Sequence, residues 1–254
     1  MKGGEPDMNS NQSEKKKKNR SPAIAAGVIL LLLIAALMIT LAFMSGTDEV
    51  TNAFGAGKVD IDLTETNWSP AAASNIVPGT ILEKNPRILN NERTDVYVFL
   101  RVTVPYTNAV IESSEEGHKG EVSSDGTLDV PMYRFIDKDG NYNTGLDAAQ
   151  NTDPGWALLE GYPRKNTETK TYEYVYAHVF SDNAARMIPL MEGAATEYPL
   201  FDRIRLVNIS EDNFDRDRDY SVAVEAFGIQ SQYLEENNAT TDVPERVWSK
   251  IRAS

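Results

Sequence analysis

Apolar positions follow two regimes along this chain. Residues 23–44 form one apolar run of 22 residues, interrupted only by Gly27 and Thr40. As a helix rising about 1.5 Å per residue it spans roughly 33 Å, enough for the hydrocarbon core of a bilayer. From residue 59 the pattern becomes alternating. Val59, Ile61 and Leu63 are spaced by Asp60, Asp62 and Thr64, the period of a strand with one buried face. Residues 67–79 contain Pro70 and Pro78 and read as a loop. Ile81 and Leu82 open a short strand leading to Pro86, and Ile88 and Leu89 precede the turn Asn90-Asn91-Glu92-Arg93.

Residues 96–104 carry the clearest strand. Val96, Val98, Leu100, Val102 and Val104 face one way, Tyr97, Phe99, Arg101 and Thr103 the other, and Pro105 is expected to end it. Residues 108–127 are polar and read as a long loop. Residues 132–136 form a strand, and Asp137-Lys138-Asp139-Gly140-Asn141 a hairpin turn. Further strands are predicted over residues 156–159, 169–180, 204–207 and 222–229, and a helical turn within 183–192. Asp242 caps a terminal helix, with Pro244 in its first turn and Val247, Trp248 and Ile251 as its apolar stripe. About eight to ten strands without a helical repeat predict an all-β fold, an antiparallel β-sandwich.

The flanks orient the apolar run. Lys15 to Lys18 and Arg20 precede it, and Asp48 and Glu49 follow. Positive charge stays cytoplasmic, which predicts the N-terminus inside and residues 45–254 outside. The run exceeds the usual 7–15 residues of a signal-peptide core. Thr40 and Ala42 nevertheless supply small residues for a cut between Ala42 and Phe43, so a cleaved signal and an uncleaved anchor both fit. The expected domains are a basic cytoplasmic segment (1–20), a signal or anchor helix (21–44), a β-sandwich (45–240) and a C-terminal helix (241–254).

Charge and composition narrow the chemistry. The chain has a net charge of −13 and no cysteine. Residues 1–42 hold six of the 25 bases and three of the 38 acids, so the remainder carries −16. That balance argues against nucleic acid as a partner. The missing cysteines exclude disulfides and thiolate chemistry. His118 and His178 are 60 positions apart, without the two-His spacing of a zinc protease helix. Asp212, Asp215, Asp217 and Asp219 are interleaved with Arg216 and Arg218 and lack the glycine of a calcium loop. Gly55-Ala56-Gly57-Lys58 has Val59 where a phosphate loop needs Ser or Thr. No catalytic, metal-binding or cofactor-binding residue is therefore assigned. Tyr172, Tyr174 and Tyr176 share a strand face, which reads as packing or, alternatively, as a carbohydrate or protein contact.

A resemblance enters through several segments together. The run Thr51-Asn52-Ala53-Phe54-Gly55-Ala56-Gly57-Lys58-Val59-Asp60-Ile61-Asp62-Leu63-Thr64-Glu65 with Trp68 resembles the start of the mature TasA/camelysin family. So do Pro78-Gly79, Lys84-Asn85-Pro86, the strand from Val96 to Pro105, and the ending Pro244-Glu245-Arg246-Val247-Trp248. The resemblance implies a jelly-roll sandwich exported by Gram-positive bacteria and processed by a dedicated signal peptidase. It implies a structural role in extracellular matrix or biofilm fibres, as a homopolymer or with other matrix proteins. A camelysin-type surface metalloprotease and a membrane-anchored binding module are the alternatives. Residues 43–57 lie between the apolar run and the first strong strand and carry Phe43, Val50 and Phe54 as apolar anchors. Once freed by cleavage, this segment is predicted to add as a strand to the sheet of the next copy.

Overall fold

The computed structural model describes residues 53–54, 59–65, 77–109, 128–144, 147–209, 220–236 and 243–253. Its strands are β1 (Ala53–Phe54), β2 (Ile61–Glu65), β3 (Ile81–Glu83), β4 (Pro86–Asn90), β5 (Val96–Ala109), β6 (Leu128–Pro131), β7 (Tyr133–Ile136), β8 (Trp156–Leu158), β9 (Arg164–Asn166), β10 (Thr171–Phe180), β11 (Asn183–Met187), β12 (Arg203–Leu206) and β13 (Ala223–Gln230). Two helices follow, α1 (Ser231–Glu236) and α2 (Pro244–Ala253). The chain divides between Phe43 and Met44 into two units, and every described residue belongs to the second. Among the described residues no helix is long and apolar enough to cross a membrane. The run 23–44 lies outside them, as does Asp242, the expected helix cap.

The fold is all-β in character and sandwich-like. The main sheet runs β1-β13-β5-β10-β11, with β6 beside the far end of β5 and with β8 and β9 beside β10. Facing it are a three-stranded sheet, β3-β12-β7, and the pair β2-β4. Every pairing is antiparallel except that of β1 with β13.

The alternation of β5 explains the layering. Val98, Leu100, Val102 and Val104 join Tyr174, Tyr176, Val224 and Ala226 in a core with Ile61, Ile88, Phe135 and Ile204. On the opposite face, Tyr97 and Phe99 join Val175, Ala177, Phe227 and Ile229 beneath Val247, Trp248 and Ile251 of α2. The helix therefore makes a third layer and buries what would otherwise be the wet face of the sheet. Trp248 is wedged between Phe99, with ring centroids 5.2 Å apart, and Phe227, at 5.1 Å and edge-on. Its Nε1–H donates to the Tyr162 hydroxyl at 3.2 Å. Docking of the terminal helix through Trp248 agrees with the apolar stripe read from the sequence.

Several local expectations are corrected. Pro105 does not end β5, which continues to Ala109. The Tyr106 amide donates to Lys170 O on the β10 side, and Pro105 O accepts the Met132 amide on the other. The proline nitrogen thus faces the gap where pairing with β13 stops at Thr103 and pairing with β6 starts at Tyr106. No ladder bond is required of it there. Residues 183–187 form a strand instead of a helical turn, paired with β10 through Phe180↔Asn183 and Val179↔Met187. Met187 is buried in the helix-side core, and that contact overrides the helix preference of Ala184 and Ala185. Ile88 and Leu89 lie within β4, and β6 and α1 appear where no element was expected. The turn at 137–141 forms, with Gly140 at φ 85°, but β7 pairs with β12, so it closes no hairpin.

Candidate functional site

The feature that bears on the expected strand addition is the outer edge of β13. One side of this strand pairs with β5 over its whole length, from Ala223↔Thr103 to Gln230↔Val96. On the other side, the partner among the described residues is β1, parallel and two residues long, with Ala53↔Phe227 and Phe54↔Gly228. Backbone donors and acceptors along such an edge are a template for a further strand. Phe54, one of the three expected anchors, therefore sits on the backbone of an added strand in its own chain. Phe43, Val50 and the candidate cleavage residue Ala42 lie outside the described residues.

Packing beneath the edge explains its shape. Gly228 faces β2, and a Cβ there would lie 2.9 Å from Val96 Cγ1 and 3.3 Å from Ile61 Cδ1. Only hydrogen lets Val96 of the neighbouring β5 and Ile61 of the facing layer press this closely on the residue that pairs with Phe54. Three residue pairs along β13, the opposite face of the sheet turns polar. Arg101 on β5 donates to both carboxylate oxygens of Glu225 on β13, Nε at 2.6 Å and NH2 at 2.7 Å, with Glu173 of β10 at 3.9 Å. The bond to Glu225 is the main reason that the guanidinium pKa is raised above its ordinary value. Arg101 also stacks 4.8 Å from the centre of the Phe227 ring, where the helix-covered face ends.

The remaining expectations that fall on described residues resolve into packing. His178 is buried in β10, its Nδ1 3.3 Å from Ile188 O and its ring 5.4 Å from that of Trp156. Desolvation lowers its pKa and favours the neutral ring. Among the described residues no group of three His, Asp or Glu side chains could hold a metal ion. His118 and the aspartates at 212, 215, 217 and 219 lie outside them. Tyr174 and Tyr176 are fully inside the sandwich and stack with centroids 6.3 Å apart, so their face is core and offers no carbohydrate platform. Tyr174 donates to Ala148 O at 2.6 Å, whereas the Tyr176 hydroxyl has no hydrogen-bond partner among the described residues. Burial raises the pKa of both.

Lys84 and Asp153 are buried charges that the pattern reading did not find. Lys84 is 1% exposed, and its Nζ lies 2.8 Å from Glu65 Oε1 and 2.9 Å from Oε2, tying the end of β2 to the connection before β4. Asp153 is likewise 1% exposed. The only signal for Lys84 was its place in the Lys84-Asn85-Pro86 segment; for Asp153 there was none. No protein-family model, no curated protein and no solved structure matches this chain.

Proposed function

We propose that this chain is an exported structural protein of the cell surface, similar to TasA, that contributes to extracellular matrix by strand donation. The observation that carries this reading is the parallel pairing of Ala53–Phe54 with Phe227–Gly228 at the edge of the main sheet. Two residues of the predicted donor pair as a strand, and among the described residues this side of β13 is paired only at Phe227 and Gly228. In the proposed assembly, residues 43–57 of one copy lie along β13 of the next, in place of that copy's own β1. The apolar run of residues 23–44 inserts with its N-terminus inside, and a signal peptidase cuts between Ala42 and Phe43. Until that cut, the membrane holds one end of the donor and no neighbour can receive it. The two-layer arrangement of the sheets is compatible with the jelly-roll topology implied by the resemblance.

The test compares purified residues 43–254 with a shortened chain beginning at Lys58, by light scattering and electron microscopy. The longer chain is expected to form fibres. The shorter one has a receiving edge but no donor, so it stays monomeric and caps growth when mixed in. If neither polymerises at high concentration and salt, strand donation is wrong, and a membrane-anchored binding module becomes the better reading.

A further inference from the structure

A buried junction just before β8 carries a separate inference, independent of the proposed assembly. Asp153 precedes β8 and joins three pieces of chain. Its amide donates to Leu200 O at 2.9 Å, in the segment leading to β12. Its Oδ1 accepts the Lys138 amide at 2.6 Å, in the turn that follows β7. Its Oδ2 is buried and has no hydrogen-bond partner among the described residues.

The charges around this carboxylate are mostly of its own sign. Asp202 and Asp137 both disfavour its ionised form. The Asp137 carboxylate is occupied in capping its own turn, accepting the amides of Asp139 at 3.0 Å and Asn141 at 2.9 Å. Lys138 is the cation that favours ionisation, yet its ammonium is held by Asp139 at 2.8 and 2.9 Å. Arg203 approaches Asp202, at 3.8 Å. Tyr198 lies on the same segment as Leu200 and acts on Lys138.

We infer that Asp153 is an acid-tightened clasp, which holds the turn after β7 against the segments before β8 and β12 more firmly when protonated than when ionised. Protonation removes an uncompensated buried charge beside two carboxylates and leaves Oδ1 free to keep the Lys138 amide. Desolvation is the largest of the causes that raise its pKa above the ordinary 3.8. The sign follows from linkage. A carboxyl that binds its proton more tightly in the folded state contributes stability fully present below the unfolded value. That stability is lost as pH rises through the folded value.

The experiment follows the Asp153 carboxyl carbon by NMR through a pH titration of the full chain in detergent micelles. The signal is identified by its loss in Asp153→Asn. The expected midpoint lies above the ordinary 3.8, and Asp202→Asn shifts it downward by removing a like charge. Thermal unfolding gives a second readout. Asp153→Asn raises the melting temperature at pH 7, and that gain disappears below pH 3.8. A midpoint at or below the ordinary value overturns the inference. So does an Asp153→Asn loss of melting temperature of equal size at pH 7 and in acid, which would make the residue a plain structural cap.

Discussion

At the scale of single residues, burial decides what a side chain can do. His178 occupies a strand position, 7% exposed, and its pKa is lowered chiefly by desolvation. A base with a depressed folded pKa contributes stability above its unfolded value that is lost as pH falls through the folded one. Urea unfolding at a series of pH values is therefore expected to show stability falling below the ordinary 6.5, and His178→Gln is expected to lack that limb. An identical pH profile in the variant would sink the assignment. Gly228 makes a complementary case. Val96 is wholly buried and β-branched, so it has little room to yield to a methyl group 2.9 Å away. Gly228→Ala should cost about 1–3 kcal/mol, typical of overpacking, in the same unfolding measurement. Neither consequence could be read from the sequence, because His178 and Gly228 lie in ordinary strand patterns and their crowding comes from segments distant in the chain.

At the scale of elements, α2 shows a local pattern surviving intact. Val247, Trp248 and Ile251 recur at helical spacing, and all three are buried against the main sheet. Trp248→Ala removes the ring between Phe99 and Phe227 and should cost about 3–5 kcal/mol, as large aromatic truncations in cores do. An unchanged melting temperature would mean that the helix is an undocked tail. β5 was equally legible, since both of its faces are apolar over residues 96–100 and the period of two assigns each face. Its continuation past Pro105 was not. A proline within a strand is tolerated only where a ladder bond is absent, and the vacancy comes from the exchange of β13 for β6. β11 went the opposite way: its Ala-rich sequence favours helix, and burial of Met187 together with pairing to β10 outweighs that preference.

At the scale of the whole molecule, charge opposes the proposed assembly. Residues 43–254 carry a net −16, so like-charged copies must approach before any strand is exchanged. The screening length falls from about 8 Å at physiological ionic strength to about 3 Å at 1 M. Light scattering of the cleaved chain should therefore show growth that accelerates with salt. Growth that slows with salt would point to ion pairs as the adhesive and count against strand donation.

What the sequence determined by itself is what repeats locally: strands of period two, an amphipathic C-terminal helix, and an apolar run long enough for a bilayer. Each depends on neighbours within a few positions, and side-chain direction follows directly from backbone period. The tertiary structure alone decided which strands meet. Phe54 finding Gly228, Lys84 finding Glu65, and Asp153 losing its water beside Asp202 all join residues far apart in the chain. Such meetings follow from register and layer packing, which are selected by burying both faces of the main sheet together. No window of sequence contains that sum.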